Sequence, residues 1–145
     1  MGIAAISNDR SEVVCIDLAD ISFEGELELE GVFDNPQYAA IALAFNSNSP
    51  VYSYFLVSDD GDVFQAKENV VISNVASAGA YIFRDLETYI RALSHCLSRG
   101  KHYEHSGHQY VCPLFNGVIA CGNRVAIQLV DNVQDVKIDD TLLAQ

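Results

Sequence analysis

Hydrophobic and polar positions recur along this chain with two periods. Between Tyr81 and Gly100, the apolar residues Ile82, Phe83, Leu86, Tyr89, Ile90, Leu93 and Leu97 return at steps of three and four. That is one stripe of an amphipathic helix. Arg84, Asp85, Glu87, Thr88, Arg91, Ser94, His95 and Ser98 fall mostly on the other side. Asp85 suits an N-cap. Arg99, Gly100 and Lys101 form a stop signal, with basic residues near the negative helix end and a glycine able to take the left-handed conformation. The pattern predicts one long helix over about 82–99.

Elsewhere the period is two. Val14, Ile16 and Leu18 alternate in a short strand. Ile21–Phe33 gives the clearest alternation: Ile21, Phe23, Leu27, Leu29 and Phe33 share one parity, while Ser22, Glu24, Glu26, Glu28 and Glu30 share the other. This predicts a strand with one buried and one wet face, bent at Gly25 and Gly31. In Asn35–Phe45, Asn35-Pro36 imitates a helix start. Yet no charge appears, and Ile41, Leu43 and Phe45 alternate with Ala40, Ala42 and Ala44. A buried strand is the preferred reading there. Val51–Ser58 is a second uncharged strand, turned by Asp59-Asp60-Gly61-Asp62 into a partner over Val63–Lys67. Another strand is expected within Asn69–Val75, and a polar loop at Lys101–His108. Gln109–Val130 reads as a meander. Asn116-Gly117 is its hairpin turn, because both central residues of a type I′ turn need positive φ. Gly122-Asn123 is a second turn. Val133, Val136 and Ile138 suit a final edge strand. The sum is an α+β fold: a mainly antiparallel, curved sheet of about six to eight strands packed on one long amphipathic helix, in a single domain over 1–145.

Charge adds a polarity. The net charge is −12, and residues 1–34 carry nine acids against Arg10. Residues 131–145 carry four acids against Lys137. Direct nucleic-acid binding is not expected, since neutralising phosphates takes clustered Lys and Arg. No apolar run reaches membrane-spanning length, and the start lacks the features of a secretory signal, so a soluble cytoplasmic protein with reduced cysteines is expected.

Candidate chemistry is sparse. On a strand, Glu24, Glu26, Glu28 and Glu30 would stand about 6.7 Å apart. That row suits a basic protein surface, or serves as a solvated face that discourages edge aggregation. If Asn116-Gly117 is a two-residue loop, Cys112 faces Cys121, within reach of a disulfide or a shared metal. His102, His105 and His108, with Cys96, Cys112 and Cys121, are weak metal candidates, since neither a Cys-x-x-Cys nor an i, i+4 histidine pair occurs. No cofactor motif is present. Tyr52 and Tyr54 share one strand face in an uncharged segment, which fits core, a homodimer interface or a ligand pocket. The leading expectation is therefore a small acidic interaction protein without catalytic activity, a homodimer, presenting Glu24–Glu30 to a basic protein. Two alternatives stand beside it. One is a small-ligand domain with a pocket between helix and sheet lined by Tyr52, Tyr54 and Tyr89. The other is a small metalloprotein or enzyme using the His102–His108 loop and the cysteines.

Overall fold

The computed structural model describes residues 12–136. The short apolar start at residues 2–6, and Ile138 of the expected last strand, lie outside them. The chain runs β1 (Val14–Asp17), β2 (Ile21–Glu24), α1 (Leu29–Phe33), β3 (Tyr38–Asn46), β4 (Tyr54–Val57), β5 (Val63–Lys67) and β6 (Val75–Phe83). It continues through α2 (Leu86–Ser98), α3 (Gly100–Tyr103), α4 (Leu114–Ala120), β7 (Arg124–Leu129) and β8 (Asp131–Asp135).

The expected sheet is corrected. Strands β6, β3, β7, β5 and β4 follow one another, and a further β4–β6 pairing at Tyr54 and Ala76 closes them into a five-stranded mixed barrel. β3 and β7 run parallel, and β1 adds antiparallel to the outside of β6. β2 and β8 form a separate two-stranded sheet.

β3 and β6, which carry no charged residue, are buried along both faces. Along β3, Ala40, Ala42 and Ala44 face the core beneath α2 and α4. Ile41 and Leu43 face a second core closed by α1, β2 and β8. Alanine is needed on the first face because Phe55, Phe83 and Phe115 fill that space, with Phe115 centroids 5.8 Å from Phe55 and 5.6 Å from Phe83.

The single long helix is also corrected. α2 begins at Leu86, because Ile82 and Phe83 complete β6. Asp85 caps it as expected, accepting a hydrogen bond from the Thr88 amide at 2.7 Å. The stop signal acts at Arg99, but Gly100 opens the short α3 rather than adopting a left-handed cap. α2 packs chiefly against α4 and meets the sheet where Tyr89 lies against Phe83 of β6.

That second helix replaces the expected Asn116-Gly117 hairpin. Gly117 lies so close to α2 that a Cβ there would stand 2.6 Å from the Ala92 carbonyl oxygen. α4 ends in a Schellman motif: Gly122 has φ +87, its N–H donates to Ile119 O (2.9 Å), and Asn123 N–H donates to Val118 O (3.3 Å). The two-residue turn with both φ values positive occurs instead at Ser106-Gly107, between His105 and His108, which exchange both backbone hydrogen bonds.

Asn116 has a different task. β5 meets β7 only at Val63. Further along, its open edge is paired by a side chain: Ala66 N–H donates to Asn116 Oδ1 and Asn116 Nδ2 donates to Ala66 O, both at 2.8 Å. Asn116→Ala leaves both backbone groups unpaired. A loss of about 1–2 kcal/mol is expected, read as a lower urea midpoint with an unchanged m value.

Candidate functional site

The β1–β2 turn, the end of β5, the segment before β4 and strand β8 converge on a crevice of about 210 Å³ against β6. Three carboxylates line it: Asp20, Glu68 and Asp135. Tyr52, Ser53 and Ser77 line it with hydroxyl groups, and its described lining contains no Lys, Arg or His.

Local backbone chemistry places each group. Ala19 sits at φ +60, an unfavourable conformation for a residue with a Cβ. The tight turn it makes is held by the Ala19 N–H bond to Asp17 Oδ1 (2.8 Å). Asp20 then lies over Gly79, which has φ +78 and where a Cβ would stand 3.5 Å from Asp20 Oδ1. Tyr52 donates its hydroxyl to Asp135 Oδ2 at 2.9 Å, and its ring meets Phe45 edge-on at 5.0 Å. Ser53 donates to Glu68 Oε2 at 2.8 Å. In the floor, the Gly79 amide donates to Ser77 Oγ (3.2 Å), and the Ser77 hydroxyl donates to Tyr81 OH (3.0 Å).

The electrostatics follow from burial. Desolvation pushes the Glu68 carboxyl above the usual glutamate range, and Asp20 pushes it the same way. The Ser53 hydrogen bond and the His105 imidazole pull it down. Tyr52 is raised by burial, then by its bond to Asp135. A crevice of this kind accepts hydrogen bonds far better than it donates them. Ligand groups that bring their own donors, such as hydroxyls, complement it.

Glu68 also borders a second, larger groove of about 370 Å³ between β5, α3 and α4. His102 and His105 lie there beside Lys67 and Tyr103.

The sequence candidates are otherwise scattered. The glutamates do not form a strand row. Glu24 ends β2, Glu26 follows in the connecting loop, Glu28 precedes α1, and Glu30 lies within it. Gly25, at φ +152 against Val130, ends the strand. Leu29, Val32 and Phe33, at helical spacing, pack α1 on the second core. Tyr54 is wholly buried and donates its hydroxyl to Ser49 O (2.7 Å), and Tyr89 is buried beside Phe83. Tyr52, Tyr54 and Tyr89 therefore do not gather between helix and sheet. Cys112 and Cys121 stand at opposite ends of α4 instead of across a hairpin. Burial pushes the Cys96 thiol up to about 11 and the Cys112 thiol higher still. Among the described residues, no three His, Cys, Asp or Glu side chains gather as a metal site. Of the sequence candidates, Tyr52 alone lines the crevice. Asp20, Ser53, Glu68 and Asp135 were missed, because they converge from four segments and only pairing register brings them together.

Neither a family model nor a curated protein matches this chain. Solved structures do. A nucleoside-diphosphate-sugar pyrophosphorylase from Vibrio cholerae RC9 superposes with a TM-score of 0.75 at 19% identity, covering 91% of this chain and 55% of that one. A putative glucose-1-phosphate thymidylyltransferase from Bacillus anthracis, in complex with sucrose, gives 0.65 at 15% identity, covering 92% and 53%. The inositol-1-phosphate CTP transferase from T. maritima gives 0.58 at 13% identity, covering 91% and 51%. The chain thus spans about half the length of the structures it matches. No helix among the described residues is long and apolar enough to cross a membrane. The expectation of a non-catalytic acidic interaction protein is corrected by these likenesses: the fold is one shared with parts of a nucleoside-diphosphate-sugar pyrophosphorylase, a putative thymidylyltransferase and a CTP transferase.

Proposed function

We propose that this chain forms the polyol-recognising part of a nucleotidyltransferase-like enzyme, with the Asp20–Glu68–Asp135 crevice holding the hydroxyl face of a sugar or cyclitol. The observation that carries this reading is the half-buried Glu68 carboxylate, set beside Asp20 and Tyr52 in a crevice of about 210 Å³. Ring hydroxyls donate to carboxylates in charge-assisted bonds, and partial burial strengthens those bonds. Glucose 1-phosphate and inositol 1-phosphate, named in two of the similar structures, are both ring polyols with one phosphate. The described lining holds no Lys, Arg or His. The crevice is therefore assigned the hydroxyls, while phosphate and nucleotide are left to groups outside it.

An amide-resolved NMR titration with glucose, glucose 1-phosphate and myo-inositol 1-phosphate tests the reading. Saturable shifts at Ser53, Asn69 and Gly79, with the α2–α4 face unmoved, are expected. Shifts that never saturate with any of the three, or that fall outside the crevice, would sink it.

A further inference from the structure

We propose that Ser53 is a positioning residue for the crevice: its hydroxyl anchors one oxygen of Glu68, so that the carboxylate stays ionised and presents its other oxygen to the ligand. This rests on the polyol reading for the identity of the ligand, but not for the Ser53–Glu68 pair itself.

The pairing of β4 and β5 creates the contact. Tyr54 pairs with Lys67, Phe55 with Ala66 and Leu56 with Gln65. Continuing that antiparallel register by one residue sets Ser53 opposite Glu68, with side chains on the same face. Ser53 is 8% exposed, and its position is fixed from behind: its carbonyl accepts the Ser77 amide at 2.8 Å. The next residue, Tyr54, is paired with Ala76 of β6 and bonded through its hydroxyl to Ser49. The donor is thus held in place before any ligand arrives. Its partner is less constrained, because β5 ends at Lys67 and Asn69 turns the chain away at φ +48. A Glu at the end of a strand has rotamer freedom to lose, and a bond of 2.8 Å to Oε2 removes it.

The charged groups acting on Glu68 are Asp20 from the β1–β2 turn and His105 from the turn after α3. Glu68 in turn raises the proton affinity of the buried Tyr81 and Cys112. Burial and Asp20 favour the protonated acid, while Ser53 and His105 favour the anion. Removing Ser53 therefore tips Glu68 toward the neutral form.

The test follows the Glu68 side-chain carboxyl carbon by NMR through a pH titration, in the ligand-free chain, for wild type, Ser53→Ala and Ser53→Thr. The Glu68 midpoint is expected to move to higher pH in Ser53→Ala and to return in Ser53→Thr, which keeps the hydroxyl. Affinity for myo-inositol 1-phosphate is expected to fall about fivefold in Ser53→Ala and recover in Ser53→Thr. An unmoved Glu68 midpoint in Ser53→Ala, even with a lower Tm, overturns the proposal, as does Ser53→Thr titrating like Ser53→Ala. An unchanged affinity in Ser53→Ala also overturns it. Should wild type bind none of the polyols, the reading of the function fails, and the ligand-free titration alone decides for Ser53.

Discussion

Gly117→Ala is expected to destabilise the protein by about 2–4 kcal/mol, lowering Tm by roughly 5–15 °C in a domain of this size. Helix propensity alone gives the opposite sign, because Ala is preferred over Gly in a helix interior by about 1 kcal/mol. Geometry decides otherwise. The added Cβ would stand 2.6 Å from the Ala92 carbonyl oxygen and 2.9 Å from Ala92 Cα. Both are backbone atoms of α2, so no side-chain rotation relieves the overlap. The helices must separate, which opens the core that Phe115 and Val118 of α4 share with Tyr89 and Ala92 of α2. Ala92→Gly is expected not to rescue the variant, since the clashing atoms remain. Equilibrium urea unfolding of the two single variants and the double variant checks this. A Gly117→Ala protein as stable as wild type would mean that α2 and α4 pack further apart than described.

That same dipeptide shows where the sequence is legible and where it is not. Asn-Gly carries a strong local preference for a tight hairpin, but here both residues are governed by distant contacts. Asn116 completes the open edge of β5, fifty residues earlier in the chain, and Gly117 admits α2. The preferred turn geometry falls on Ser106-Gly107, a weaker signal of the same kind. Legibility was greatest where one period dominated. The Ala/large alternation over residues 40–45 is a central strand buried on both faces. The Asp85 cap and the Asp59–Asp62 turn were likewise readable, but the stripe of α2 was not: its buried residues are Leu86, Tyr89, Ala92 and Cys96, while Ile90 and Leu97 stay exposed. In residues 21–33 two periods coincide. Leu29 and Phe33 share a strand parity, but they are also four apart, and with Val32 they form the apolar side of a helical turn. Poor strand propensity of the glutamates and the break at Gly25 settle the contest. The crevice was hidden for a different reason. Counting outward from the β4–β5 turn, Val57 pairs with Val63, and that register would set Lys67 opposite Ser53. A bulge shifts the pairing to Leu56 with Gln65, leaves Phe64 as the extra residue and brings Glu68 across from Ser53. One inserted residue exchanges a base for an acid at the site, and no sequence period announces it.

Glu68→Gln is expected to separate stability from binding. The folded environment raises the affinity of this carboxyl for its proton, chiefly through desolvation. Between the ordinary glutamate range and the raised folded value, the native state binds more protons than the unfolded chain, so stability falls as pH rises through that window. At neutral pH the wild-type protein keeps the full penalty of an ionised, partly buried carboxylate near Asp20. Glutamine has the same shape, accepts the Ser53 hydroxyl through its carbonyl oxygen, and carries no charge at any pH. The variant is therefore expected to be more stable than wild type at pH 7, with the difference shrinking as pH falls and Glu68 becomes protonated. Binding moves the other way. A hydroxyl-to-carboxylate bond contributes about 1.5–3 kcal/mol, against about 1 for a neutral acceptor. Loss of the charge is expected to weaken polyol binding by about threefold to thirtyfold. Wild-type affinity is expected to decline on acidification at a pH above the ordinary glutamate range, while the residual affinity of Glu68→Gln shows no step there. Thermal unfolding from pH 4 to 8, paired with calorimetric titration of myo-inositol 1-phosphate, measures both halves. A variant that lost stability at neutral pH would show that the Glu68 charge holds the β4–β5 end together, and a variant with undiminished affinity would place the ligand elsewhere. Both gains together, in stability and in pH-independence at the expense of affinity, are what a carboxylate kept for recognition rather than folding produces.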